Sequence, residues 1–322
     1  MIQPYDGGKL ERKRVGTQGP EVSILSLGSW HTYDRIDFSD AVAMMRLAVD
    51  AGINLFDVGV YGVKTQAPVH TDVLFSAIMR GAEVSRDQYI LSAKLWLEEY
   101  PSVSLREQLD GALFRVGTDH AELAILGDIH QNDLDTRQLV IDLGELHRDG
   151  LLGCWGVNNW SVSQIEGVKN DAEKEGVGGP QMAQLKYSVC RRAVADGEAF
   201  KPLFGGGLTL EASDVMEGGL LVGGAGRDLG EDQGPLGDRV LAAVPNLQSI
   251  AAKLDASPAQ VCIAFTLTHP RTTTTLFGAT GIAQLSENLG AVTLLQRVGA
   301  ESLRALVDPL WADQGLVDPA GP

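Results

Sequence analysis

An acid, a phenol and an amine fall at positions where they could act together. Asp57 stands four places before Tyr61, and Lys94 follows the aliphatic run that begins at Tyr89. A phenol loses its proton at a pH of about 10, too high for a useful acid near neutrality unless neighbours help. An adjacent ammonium stabilises the phenolate, and a carboxylate beyond it keeps the amine charged and oriented. Such a trio could deliver a proton to a carbonyl oxygen as a hydride arrives at carbon. The competing reading makes Asp57 and Lys94 a structural ion pair and Tyr61 a surface aromatic.

These residues follow short β-branched or aliphatic runs that alternate with stretches of helical period. Strands are expected at Ile24–Leu27, Ile53–Phe56, Tyr89–Ala93, Leu123–Leu126, Cys154–Val157, Gln181–Leu185, Leu208–Ala212 and Thr273–Phe277. Between them, Ser39 reads as the cap of a helix carrying Ala41, Met45, Ala48 and Val49 on one face, stopped by Gly52. Leu105–Val116 and Leu139–His147 have the same character. Ser257 and Pro258 mark a further helix start, closed by Pro270. Eight strands alternating with helices predict a (β/α)8 TIM barrel. Two segments break the rhythm: residues 9–22 read as a small hairpin before the first barrel strand, and residues 218–237 as a long glycine-rich lid loop. No domain boundary interrupts residues 1–322, which read as a single barrel domain.

Chemistry in such a barrel sits at the carboxyl ends of the strands. Asp57 and Tyr61 follow the second strand, Lys94 and Trp96 the third, Asp128 and His130 the fourth, Asn158 and Asn159 the fifth. Gln184 lies on the sixth strand, Glu211 and Asp214 on the seventh, and Gly278 and Thr280 follow the eighth. Nearly every strand thus ends in a group able to ionise or hydrogen-bond, as in an active site. Trp30 and Trp96 would wall a substrate pocket or simply pack the rim.

The composition limits the partners. Lys and Arg total 26 against 42 Asp and Glu, a net charge of −16, which disfavours nucleic acid and anionic membrane as partners. No apolar run approaches the ~20 residues of a membrane helix, and the segment MIQPYDGGKLERKR lacks the apolar core expected of a signal peptide. Cys154, Cys190 and Cys262 are widely separated and read as reduced thiols of a cytoplasmic protein. The six histidines show no HExxH, and no HxH follows the first strand, so no metal site is expected.

The segments GINLFDVGVYG, ILSAKLW, GCWGVNNW and LFGATGIAQLSENLGA resemble the aldo-keto reductase superfamily, the last of them its potassium-channel β-subunit branch. The likeness runs from about Val22 to Leu294 in unbroken order. It implies NADPH-dependent reduction of aldehydes and ketones through an Asp–Tyr–Lys–His tetrad, whose first three members match Asp57, Tyr61 and Lys94. It further implies that Asn158, Asn159 and Gln184 lie at the nicotinamide, with the amides of Asn159 and Gln184 on its carboxamide. Gly278, Thr280, Gln284, Glu287 and Asn288 would grip the adenosine and its 2′-phosphate, an anion at a helix N-terminus. The lid, with Gly219 among its glycines, would fold over the pyrophosphate, and Arg227 would contact a phosphate.

Three departures from the family pattern are visible. The Asp–Tyr spacing is four rather than five. The tetrad histidine position falls on Gly127 or Asp128, leaving Asp128 or the nearby His130 as the orienting group. Ser213 stands where an aromatic would stack on the nicotinamide, and Asp214-Val215 replaces Ser-Pro beside the pyrophosphate. The expected function is therefore an NADPH-dependent oxidoreductase acting on a carbonyl, activated C=C or imine of a small metabolite. The alternatives are a lyase, dehydratase or epimerase on the same barrel, with NADP used non-stoichiometrically or lost, and a non-catalytic NADP-binding sensor. The sequence is silent on oligomeric state.

Overall fold

A computed structural model describes residues 8–62, 67–131, 133–224 and 234–321. Eight parallel strands close into a barrel: Leu25–Gly28, Leu55–Val58, Ile90–Leu95, Ala121–Leu126, Leu152–Asn158, Met182–Lys186, Thr209–Ser213 and Thr272–Phe277. Each pairs with the next in sequence, and the eighth pairs with the first. Helices on the outside fill each connection, among them Phe38–Asp50, Leu105–Val116, Thr136–Arg148 and Val162–Glu175. The expected strands all form, most of them one or two residues later than the hydrophobic runs suggest. Several of them extend to, or past, a polar residue that follows the apolar run, among them Asp57, Lys94, Asn158 and Ser213. One expectation is corrected: Asp37, not Ser39, caps the first helix, its carboxylate accepting from the Ser39 amide at 2.9 Å. Asp37 sits one residue before the helix, where its oxygen can reach an unpaired N–H, whereas Ser39 is already within the first turn.

The interior of the barrel has two halves. Toward the amino ends of the strands, Leu55, Leu123, Ile125 and Met182 pack together with Val15 and Val22 from the N-terminal hairpin of Arg12–Arg14 and Glu21–Ser23. Both valines are fully buried, each contributing roughly 1.5–3 kcal/mol. The hairpin is fastened beneath the barrel by Lys13 donating to the Thr272 carbonyl at 3.1 Å and by the Gly16 amide donating to the Thr209 hydroxyl at 3.0 Å. Residues 9–22 thus form the amino-end plug as well as the expected hairpin. Toward the carboxyl ends the inward positions turn polar, with Asp57, Lys94, Gln184 and Glu211 all buried. A second, larger apolar layer lies between barrel and helices, built on residues such as Met44, Met45, Phe56, Phe75 and Phe265.

The two halves meet at a tight place. A Cβ on Gly156 would lie 2.5 Å from the Met182 carbonyl oxygen and 2.8 Å from Ile125 Cδ1. Gly156→Ala should therefore lower stability by about 1–3 kcal/mol in urea denaturation. Gly167, inside the helix Val162–Glu175, has nothing within 4 Å of its Cβ position. Gly167→Ala should instead raise stability by about 0.5–1 kcal/mol, through helix propensity alone.

Candidate active site

Parallel pairing sets inward positions side by side, and the site is assembled this way. Asn158 on the fifth strand is in register with Gln184 on the sixth, and Gln184 with Glu211 on the seventh. Asp57 comes from the second strand and Lys94 from the third. Among the described residues the Lys94 ammonium donates to Asn158 Oδ1 at 3.1 Å and to Gln184 Oε1. The Gln184 Nε2 group donates to Asp57 Oδ2 and to Glu211 Oε2, each at 2.8 Å. Asn158 Nδ2 donates in turn to Asp128 Oδ1, which Asn159 Nδ2 also approaches at 3.4 Å. Six side chains, five from strands and Asp128 from the loop after the fourth strand, thus form one chain: Asp128, Asn158, Lys94, Gln184, then Asp57 and Glu211.

The proton chemistry differs from the simple trio. Among the described residues neither Asp57 nor Tyr61 accepts a hydrogen bond from Lys94, and the Gln184 amide stands between Lys94 and Asp57. Burial, and next the Asp57 charge, push the Tyr61 hydroxyl well above its ordinary value, while Ser29 beside it works the other way. The phenol lies over Gly59: a Cβ there would sit 2.8 Å from Lys94 Cβ and 3.4 Å from Tyr61 Oη. The expected lowering of the phenol's pKa by Lys94 is therefore corrected, because the ammonium is committed to two amide oxygens. Ser29 was not foreseen. Its hydroxyl lies 2.8 Å from that of Thr71 and accepts from the Gly59 amide at 3.3 Å, tying together the loop that carries Tyr61.

Glu211, expected as an acid on the seventh strand, has surroundings that were not foreseen. It is fully buried, and burial followed by the Asp57 charge pushes its carboxyl up to about 8. Asp57 Oδ1, also buried, has no hydrogen-bond partner among the described residues. The small polar residues Ser26, Ser92 and Thr274, at inward positions of neighbouring strands, were the sequence signal that this half of the barrel is polar.

Of the two candidates for the orienting group, Asp128 joins the network. His130 is largely exposed, 3.8 Å from Glu98, and is not among the network's partners. Trp30, Tyr61 and Trp96 form an aromatic wall with ring centroids 6.4 and 5.8 Å apart, and the Trp96 indole N–H donates to the Val60 carbonyl at 2.9 Å. Burial pushes the thiols of Cys154 and Cys190 up to about 12, which suits inert packing rather than nucleophilic attack.

A dinucleotide finds suitable groups at the adenosine end. The helix Ile282–Val298 starts after Gly281 without a side-chain cap, and Ile282, Ala283 and Gln284 are exposed, so first-turn N–H groups face outward. Gln284 Oε1 accepts from the Thr280 amide at 2.9 Å and lies 3.2 Å from its hydroxyl. Gly278 is exposed at this rim, Glu287 is half-buried and Asn288 buried. At the nicotinamide end, Asn159 is held by the long contact to Asp128 and by accepting from the Lys186 amide at 3.2 Å. The Gln184 amide is spent inside the protein, with 3% of the residue exposed. Ser213 is half-buried at the end of its strand. Asp214, at a φ of 51°, accepts from the Gly218 amide at 2.9 Å and so closes its own turn. Gly219, at a φ of 97°, has open space where a Cβ would be. Arg227 and the centre of the lid lie outside the described residues.

A family model for the aldo/keto reductase family matches residues 24–306. A putative voltage-gated potassium channel subunit beta of Schizosaccharomyces pombe is 25% identical over 317 residues, 91% of each chain. Probable voltage-gated potassium channel subunits beta of Oryza sativa subsp. japonica and Arabidopsis thaliana are 28% and 27% identical, each over 89% of this chain and 92% of the relative.

The raised Glu211 pKa makes stability fall with pH. The folded chain holds this proton more tightly than the unfolded chain, whose glutamate ionises at about 4.3. Stability from this group is full below that value and is lost as pH rises toward about 8. Glu211→Gln has no proton to lose. The melting temperature of the wild type should therefore drop relative to Glu211→Gln between about pH 5 and 8 and run parallel above it. A constant difference across that range would refute the assignment.

Proposed function

The chain belongs to the aldo/keto reductase family, and on that premise we propose that it is an NADPH-dependent oxidoreductase that reduces a carbonyl, an activated C=C bond or an imine in a small metabolite. Family membership supports oxidoreductase activity in general. The observation that carries the finer reading is the continuous polar network at the carboxyl rim, which shares that rim with the aromatic wall around Tyr61 and an uncapped, exposed helix N-terminus. We place the protein in the cytoplasm, as its free cysteines suit; among the described residues no helix is long and apolar enough to cross a membrane.

NADPH would supply the hydride, and Thr280, Gln284 and the first turn of the helix Ile282–Val298 would hold its phosphate end. Asn159, whose contact to Asp128 is the longest in the network, would turn to the carboxamide. Tyr61 is the proton donor. Its raised pKa keeps the phenol protonated at neutral pH. A substrate oxygen gaining electrons becomes an alkoxide, a stronger base than an ordinary phenolate, and would take the phenol's proton. Lys94 and Asp128 orient the rim amides, and Trp30 and Trp96 bound the substrate beside Tyr61.

A second reading has its own support. The fully engaged Gln184 amide and the ringless Ser213 favour a protein that binds the dinucleotide as a sensor, as the channel-subunit relatives suggest. Loss of NADPH absorbance with a panel of aldehydes, quinones and enones separates the two. The reductase reading expects turnover, reduced about 10²–10⁴-fold in Tyr61→Phe. Tight binding with no turnover on any acceptor would support the sensor. No NADPH binding by calorimetry would remove both, leaving a lyase, dehydratase or epimerase built on Tyr61, Lys94, Asp128 and Glu211.

A further inference from the structure

Asp57 Oδ1 is a buried acceptor with no hydrogen-bond partner among the described residues, yet the nearby Lys94 ammonium bonds to two neutral amides instead. A buried carboxylate oxygen left unpaired is costly, and direct contact with an ammonium would remove that cost. Something must hold the cation away. The Gln184 side chain does so, because its oxygen takes the ammonium while its nitrogen faces Asp57. Its second N–H is fixed at 2.8 Å on Glu211 Oε2. With both amide protons anchored on carboxyl oxygens, the side chain cannot rotate away without stranding a buried donor.

We propose that Glu211 is a positioning residue that keeps the Gln184 amide inserted between Lys94 and Asp57, and thereby directs the lysine charge to the amides of the rim rather than to Asp57 and the Tyr61 phenol. The groups around the Glu211 carboxyl fit this role. Ser26 lies 3.5 Å from its other oxygen, Thr274 is its neighbour in register on the eighth strand, and the Asp57, Lys94 and Tyr61 side chains face it across the barrel. The proposal deepens the reading of Tyr61 as proton donor and rests on it for its catalytic meaning. Glu211 sets how little the lysine charge assists the phenol.

The test compares crystal structures and phenol titrations of the wild type, Glu211→Gln and Glu211→Leu. Glutamine still offers Gln184 an acceptor, so Lys94 should keep its Gln184 contact, and the Tyr61 phenol should move only by what loss of the Glu211 charge accounts for. Leucine removes the same charge and the anchor as well, so the ammonium should move to within about 3 Å of Asp57. The Tyr61 phenolate, read by ultraviolet difference against Tyr61→Phe, should then appear at lower pH in Glu211→Leu than in Glu211→Gln. An ammonium still on Gln184 in Glu211→Leu, or the same shift in Glu211→Gln, would overturn the proposal. If Glu211→Leu does not fold, Gln184→Met removes the inserted amide itself; there too the ammonium must reach Asp57, and its failure to do so overturns the proposal equally. Neither readout requires turnover. A chain that never oxidises NADPH can still show the ammonium move, and a reductase whose lysine stays put would leave only this inference refuted.

Discussion

One amide organises the rim of this barrel. Among neutral side chains only a carboxamide can present an acceptor to an ammonium and two donors to carboxyl groups at once, and Gln184 does all three. Two acids and one amine would otherwise share the barrel interior with one negative charge in excess. Burial raises the electrostatic stakes, and the response is a proton retained on Glu211 at neutral pH. The positions of Lys94, Asn158 and Asp128 follow outward from that centre.

This arrangement depends on the apolar half below it. Leu55 and Met182 lie two positions before Asp57 and Gln184 on their strands, and Leu123 and Ile125 pack with them in the floor that fixes those strands. Gly156 lets the fifth and sixth strands approach closely just beneath Asn158 and Gln184. A shift there would move the amide pair that receives the lysine. Precision at the rim is thus inherited from packing in the floor, where side chains have few alternative rotamers.

The barrel was legible in the sequence because alternating short apolar runs and helical periods have few other solutions. The helix Leu105–Val116 even has the boundaries that its pattern predicts. The set of residues facing the rim was legible too, since strand ends in a barrel share one face. Which of those residues bond to one another was not. Lys94 can reach several polar groups from different strands, and its choice of Gln184 and Asn158 over Asp57 depends on relative positions that one-dimensional spacing does not encode. The same limit applies to Asp128 against His130, two residues apart on a loop whose course decides which one turns inward. Glu211 was visible as an acid near the rim, but its bond to Gln184 and its retained proton arise only from the enclosure around it.

The hairpin beneath the barrel has a consequence for traffic. Because Val15 and Val22 stopper the amino end, the interior of the described residues is approached from the carboxyl rim. Solvent protons, reactants and products must then share a single doorway, and the deepest groups equilibrate with bulk water last. Whatever seats itself across that doorway becomes the gatekeeper for everything below it, so order of arrival is written into the architecture rather than into any one residue.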